Sequence, residues 1–487
     1  MNKTILLFFL FFVIGYPNCH AQLDKLCPIS STINTAYQST LQPINLLLNT
    51  KDFKQMYVSS SRTTISTSIQ LVNAVQPFPP LWYQIGDPKA DTLGVFNTTF
   101  FIDARIQERS GMLTAFYVFP YSFTGSVAFD TTTLLPIDTT RTYAKPNNET
   151  FRDFIDLHDF QIDKNGNKLF ANQVLKKIDA RCLSGNEDDS IRNAIVNNII
   201  ILDKHDSILL NWNLLDHLSA CEMKWEYKDA SLHFGNNINL SHVNSVRFAN
   251  DGNILYSFRH IGVGKINIKT GEIMWKLGGK DTLNAIPIPD DADYYLQHDF
   301  FQMKNGNYII FSNGDSTHQY LEGIIYNIDE KNKKASVVNR YRPQPNIYST
   351  AQGSYECEDS ICVINFGMHT PNKLDGSNQT FAEILSNNQP IATLSSPFVN
   401  YAYQVHATNW NPINLRPKVV NKNGKLFADK TTELHDFTWY KIEGTTAQKV
   451  GIGYTFQPTK SGNYVVEAQK GFGMFRSYLV SDVVEIN

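Results

Sequence analysis

The sequence predicts an all-β protein: a β-propeller, with a small N-terminal β-rich extension and a C-terminal immunoglobulin-like β-sandwich. Three observations carry this. Residues 242–279, HVNSVRFANDGNILYSFRHIGVGKINIKTGEIMWKLGG, divide into four short strands, the content of one propeller blade. The pattern recurs around residues 158 and 298, each time led by a histidine. After about residue 414 it stops, and aromatic-rich alternating segments of another kind take over.

Within 242–279, His242 to Ala249 alternates as a strand does, and Asn250-Asp251-Gly252 is a tight-turn signal. Asn253 to Arg259 and Val263 to Ile268 are the second and third strands. Lys269-Thr270-Gly271 turns the chain into the fourth, Glu272 to Leu277. Around 158 the chain reads HDFQIDKNGNKLF, and around 298 HDFFQMKNGNYIIFSNGD. His158 leads Gly166 by eight positions, His298 leads Gly306 by eight, and His242 leads Gly252 by ten. Outer strands follow as SILLNWN, EIMWKLGG and SVVNRYR, and SICVINFG with PIATLSS marks a further blade lacking the histidine. Four blades therefore lie between about 150 and 395. Pieces at 96–140 and 400–408 complete one or two more by sharing a blade between the two ends, since repeated blades bury their faces only against neighbours.

The flanks read differently. Residues 1–21 carry one lysine, an apolar run and a small-residue end, the pattern of a secretory signal peptide, with a lipid anchor on Cys19 as the alternative. No later segment approaches a transmembrane length. The expected divisions are 1–21 signal peptide, 22–95 N-terminal extension, 96–410 propeller and 415–487 sandwich. In the sandwich, Trp439 is the expected buried tryptophan and Tyr464 the late tyrosine. The module acts as a stability cap or as an accessory with possible cell-surface association. Export to the periplasm or cell surface favours cysteine pairing, Cys357 with Cys362 and Cys182 with Cys221, leaving Cys27 over. A net charge of −3 without a basic block gives a nucleic-acid partner no electrostatic support, so a small molecule or glycan is the expected ligand.

Equivalent positions in a closed ring point toward one axis, so His158, His242 and His298 are expected to converge. Arg259 ends the strand that folds back beside His242 and Asn244. Histidines with an arginine and no neighbouring acidic cluster suit an oxyanion such as sulfate or phosphate. A neutral imidazole is also a nucleophile near neutral pH. A three-histidine metal site is the competing reading, disfavoured by the positive charge of Arg259.

HVNSV, SFRH, TGEIMWKLGG, QHDF, KNGN and SNGD together resemble the arylsulfotransferase family, exported bacterial propellers that move a sulfuryl group between phenols. The resemblance covers about 100–410 and is strongest over 242–315. It implies six blades and ping-pong transfer through a sulfohistidine, with no nucleotide sulfate donor, cofactor or metal. Phenols and aryl sulfates are the implied partners. It implies His298 as nucleophile, His242 and Asn244 as supporting residues, Arg259 as the anion-binding arginine and His158 as a further histidine of the site. Sulfuryl transfer has an anionic transition state, so each well-placed donor contributes roughly 3 kcal/mol. The proton donor to the departing phenolate is expected to be His242 first and His158 second. Tyr294, Tyr295, Phe300 and Phe301 serve either as a phenol stack or as core, and His217, His260 and His369 are further candidates for the funnel. The alternatives are a non-catalytic propeller binding a sulfated or anionic glycan, and a quinone-dependent dehydrogenase, which needs a calcium site of clustered carboxylates.

Overall fold

The computed structural model describes short strands at 45–48, 55–61, 68–73 and 81–85. With short gaps it also describes residues 100–141, 154–223, 233–278, 284–396, 401–407 and 417–487. Residues 1–21, Cys27 and the 408–416 junction lie outside the described residues. With 57% strand and 3% helix, the fold is all-β.

Five antiparallel meanders follow one another along the chain. The first is Phe100–Ile106, Leu113–Phe119, Phe123–Phe129 and Pro136–Arg141. The second is Phe154–Ile162, Lys168–Ile178, Arg192–Leu202 and Ile208–Asn213. The third is Val243–Phe248, Ile254–Phe258, Gly262–Ile266 and Ile273–Leu277, the four strands expected of 242–279. Asp299–Gln302, Tyr308–Ser312, Glu322–Asp329 and Lys334–Tyr341 make the fourth. Ser354–Glu358, Ile361–Asn365, Gln379–Ser386 and Gln389–Ser396 make the fifth, with Asn45–Leu48 added at its outer edge.

Apolar side chains lie between successive sheets, because alternation gives every strand two faces to cover. Phe116 and Phe160 pack between the first and second sheets, and Trp212, Phe258 and Val246 between the second and third. Trp275, Phe300 and Tyr308 fill the space between the third and fourth, and Phe311, Tyr355 and Ile364 that between the fourth and fifth. Each fully buried large side chain contributes roughly 1.5–3 kcal/mol. The first strands of successive sheets are joined directly. Ser245 Oγ donates to the Phe300 carbonyl at 2.7 Å, and Gln107 Nε2 to the Phe160 carbonyl at 2.7 Å.

The two ends of the chain meet in one sheet. Tyr401–Ala407 pairs with Gln55–Ser61, which continues through Ser68–Asn73 to Leu81–Ile85. Residues expected as a separate extension thus share a sheet with the strand at 401–407, while the 100–141 piece makes a sheet of its own. Leu81–Ile85 then pairs with Ser477–Val480 of the C-terminal region. There Trp439, Tyr464 and Leu426 are buried together, and Phe456 stacks on Trp439 at 5.6 Å. Both expected disulfides are present, Cys182–Cys221 and Cys357–Cys362, the second joining directly paired residues of a hairpin.

Candidate active site

His158, His242 and His298 come from three different sheets and meet. The His158 ring lies 5.3 Å from that of His242 and 5.5 Å from that of His298. Each stands in or just before the first strand of its sheet, so the register read from the Gly-Asn turns places them as expected. His260 joins from the strand end beside Arg259, its ring 5.3 Å from that of His242. It is buried and contacts the Asn239 carbonyl through Nδ1 at 2.7 Å.

The back nitrogen of each ring settles which face carries a proton. His298 is buried, and its Nδ1 lies 3.1 Å from the Gly353 carbonyl, an acceptor only. Nδ1 therefore carries the hydrogen, and in the neutral ring Nε2 carries the lone pair. Gly353 has φ +96, and a Cβ there would meet the Phe311 ring at 2.4 Å, so only glycine brings this carbonyl to the histidine. His242 has the opposite arrangement. Asn239 Nδ2 donates to its Nδ1 at 2.8 Å, which puts the hydrogen on Nε2. His158 has a third arrangement: its Nδ1 makes a short hydrogen bond to Asp156 Oδ1.

Burial lowers the His298 pKa well below the ordinary value of 6.5, and nearby His158 and Arg259 lower it further. The His242 pKa is likewise lowered well, by burial first and then by His260, His158, Arg259 and His298. Both rings are neutral at pH 7. Asp156 behaves differently. Burial pushes its carboxyl up, but the charge and hydrogen bonds of His158, with a bond from Gln173, bring it below the usual value, so it stays ionised.

Arg259 follows Phe258, which pairs with Val243, and its backbone N–H donates to the His242 carbonyl at 2.9 Å. The hairpin does bring it beside His242. Its guanidinium reaches across to other segments, donating to the carbonyls of Leu296 and Thr350 at 2.9 and 2.8 Å and to Asn313 Oδ1 at 3.1 Å. Asn244 is fully buried and donates to the Gln297 carbonyl at 2.6 Å, beside His298. Two non-glycine residues beside Arg259 take left-handed conformations, His242 at φ 49 and Leu296 at φ 44. Each costs on the order of 1–3 kcal/mol, and each offers its carbonyl to Arg259.

One expectation fails. Acidic residues do stand close by: Asp156 on His158 and, one residue further along the first strands, Asp159 and Asp299. Asp159 pairs with Arg105 and Arg247, both at 2.9 Å, and Asp299 with Arg247 at 2.8 Å. Sequence analysis missed Asp156, Asn239, Asn313 and Gly353. Only Asp156 left a local signal, since Asp-x-His on a strand puts both side chains on one face.

Among the aromatic candidates, Tyr294 and Phe300 are buried core, and Arg247 sits over Phe301 at 4.8 Å. Tyr295 is half-buried and stacks on His318 at 3.8 Å. His217 stacks on Trp212 at 4.7 Å, and His369 meets the edge of Phe366. Among the described residues no three His, Cys, Asp or Glu side chains are grouped to hold a metal ion. No helix there is long and apolar enough to cross a membrane.

Residues 130–360 match the family model described as Arylsulfotransferase (ASST). No curated protein matches the chain. Similar solved structures include the extracellular domains of two hybrid two-component systems of B. thetaiotaomicron. The first is 10% identical with TM-score 0.34, covering 92% of this chain and 55% of its own. The second is 12% identical with TM-score 0.29, covering 85% and 60%. The WD40 β-propeller domain of Doa1 is 9% identical with TM-score 0.26, covering 73% and 93%. This chain thus spans 55% and 60% of the first two, and likenesses this loose do not fix a blade number.

Proposed function

We propose, from the membership of residues 130–360 in the arylsulfotransferase family, that this chain moves a sulfuryl group from an aryl sulfate to a phenol through a sulfohistidine on His298. The observation that carries the reading is the tautomer. A buried, neutral imidazole is held by the Gly353 carbonyl with its Nε2 lone pair in the cluster of histidines. Nε2 attacks sulfur, the S–O bond to the aryl oxygen breaks, and a phenol leaves. A second phenol then takes the sulfuryl group and restores the lone pair. Arg259 and the His242 Nε2–H supply positive charge and hydrogen bonds to the sulfuryl oxygens. Asn244 keeps the Gln297–His298 segment in place, and His158 stands nearest both other rings.

The same reading takes the strands at 401–407, 55–61, 68–73 and 81–85 as a sixth blade closing the ring of five meanders. It takes the C-terminal region as an immunoglobulin-like sandwich around Trp439. The Tyr464 hydroxyl, which donates to the Lys460 carbonyl at 2.6 Å, resembles the tyrosine corner of such domains. The two disulfides support an exported protein. The test is to incubate purified protein with 4-nitrophenyl sulfate and a second phenol, without nucleotide. Transfer of sulfate to the second phenol is expected. Binding of aryl sulfate without release of nitrophenol would leave an anion-binding propeller instead.

A further inference from the structure

We infer that Asp156 is a positioning residue that makes His158 the proton carrier of the site, while Asn239 holds His242 as a hydrogen-bond donor through its Nε2–H. The inference rests on the sulfotransferase reading and assigns within it the role that sequence alone gave first to His242.

The three histidines share a register but differ at their back nitrogens. His158 Nδ1 faces a buried carboxylate fixed from the other side, because Asp156 Oδ2 accepts from Gln173 Nε2 at 2.7 Å and Asn197 Nδ2 at 3.1 Å. The His158 backbone N–H adds a bond to Asp156 Oδ1 at 3.1 Å. An imidazolium at His158 finds a negative charge on its Nδ1–H, and its Nε2 can give up and take back a proton. At His242 the Asn239 amide points its N–H at Nδ1, the nitrogen that would have to gain the second proton. At His298 that nitrogen already holds its hydrogen against a neutral carbonyl. Two further facts favour His158. It is the common neighbour of the other two rings. Its side chain also keeps 22% exposure, which lets it exchange protons with solvent; His298, at 2%, is closed off, and His242, also half-buried, is set apart by its back nitrogen.

The proton balance closes. In the first half-reaction His298 Nε2 forms the N–S bond, the S–O bond breaks, and the leaving oxygen takes the Nε2 proton of the His158 imidazolium. In the second, the acceptor phenol returns a proton to His158 as its oxygen attacks sulfur and the N–S bond breaks. Asn197 ties the two arrangements together. It donates to Asp156 while its Oδ1 accepts from Ser241 Oγ at 2.8 Å and the Val243 N–H at 3.0 Å, on either side of His242.

The test exploits leaving-group demand. An unactivated phenolate needs a proton as it leaves, whereas an electron-poor nitrophenolate does not. In Asp156→Asn, the two donors Gln173 and Asn197 hold the amide oxygen, so the amide N–H faces His158 Nδ1 at the cost of the bond from the His158 backbone N–H, giving His158 the arrangement His242 already has. Turnover of phenyl sulfate is expected to fall about a hundredfold or more, and turnover of 4-nitrophenyl sulfate less than about tenfold. The loss should lie in kcat, and the double variant with His158→Ala should be no worse than either single one. Equal losses on both sulfates overturn the assignment alone. Wild-type protein that releases no phenol from either sulfate overturns the sulfotransferase reading and this one with it. If Asp156→Asn does not fold, His158→Ala and His242→Ala decide. A leaving-group-dependent loss in the first and a uniform loss in the second are expected, and the reverse overturns the proposal.

Discussion

Two copies of His-Asp-Phe, at 158–160 and 298–300, send neighbouring side chains into two adjoining polar regions of opposite character. The histidines enter a cluster whose members are held through their back nitrogens. The aspartates, one position on, enter an ion-paired layer in which both carboxylates grip the same Arg247. The phenylalanines pack the cores between sheets. In the ion layer the charges alternate across sheets, from Arg105 through Asp159 and Arg247 to Asp299, with Glu356 at 4.0 Å. Such a layer clamps the first strands of successive sheets together and has little chemistry left to do. In the histidine cluster two rings are kept neutral by burial and by neighbouring positive charge. In the proposed reading, adjacent residues on one strand thus separate structure from reactivity.

Substitutions in the two regions should therefore fail in different ways. His298→Ala should lower phenol release by at least about 10⁴-fold while the protein still melts cooperatively, because it removes the proposed nucleophile and no charge partner. Arg259→Ala should leave weak turnover, down about 10²–10³-fold, since the nucleophile survives without its charge stabilisation. Arg247→Met should do the reverse. It leaves Asp299 without its arginine and Asp159 with Arg105 alone, and denaturant unfolding should show a loss of about 3–5 kcal/mol. Activity per folded molecule should fall far less than in His298→Ala. If Arg247→Met abolished activity at unchanged stability, the two regions would be one machine.

The division was half legible in the sequence. The histidine register could be read because an inner strand start and its Asn-Gly turn are local, and equivalent positions in stacked repeats face one place. Asp156 could be read as well, since Asp-x-His occurs before the second sheet's turn while the equivalent positions are Leu240 and Leu296. The destination of the Arg259 guanidinium could not be read. Its acceptors at Leu296, Asn313 and Thr350 lie on separate turns that only the assembled sheets bring together. Asn244, expected as a supporting residue, donates an N–H to the Gln297 backbone carbonyl for the same reason. The pairing of 55–61 with 401–407 joins residues 340 to 351 positions apart, and no local pattern encodes it.

A smaller effect sharpens the contrast, because the two regions titrate in opposite senses. His298 and His242 have folded pKa values below the unfolded value of about 6.5. Their contribution to stability is present above that pH and is lost as pH falls through the folded values. Burial, aided by Glu356 and Asp159 and opposed by Arg247, raises Asp299 to about 6. Its contribution is present below about pH 4 and is lost as pH rises through 6. Stability measured by urea unfolding should therefore diverge. Relative to wild type, Asp299→Asn should gain as pH rises from about 4 to 7, and His298→Ala should gain as pH falls over the same range. A shift of both in one direction would erase the distinction.

The central claim, that His298 Nε2 is the atom that receives the sulfuryl group, is tested most directly by trapping it. Enzyme mixed with 4-nitrophenyl sulfate alone and quenched in base should show by mass spectrometry one added sulfuryl group. Peptide mapping should place it in the segment containing His298, and His298→Ala should not carry it. A label on His158 or His242, or one that persists in His298→Ala, would contradict the account.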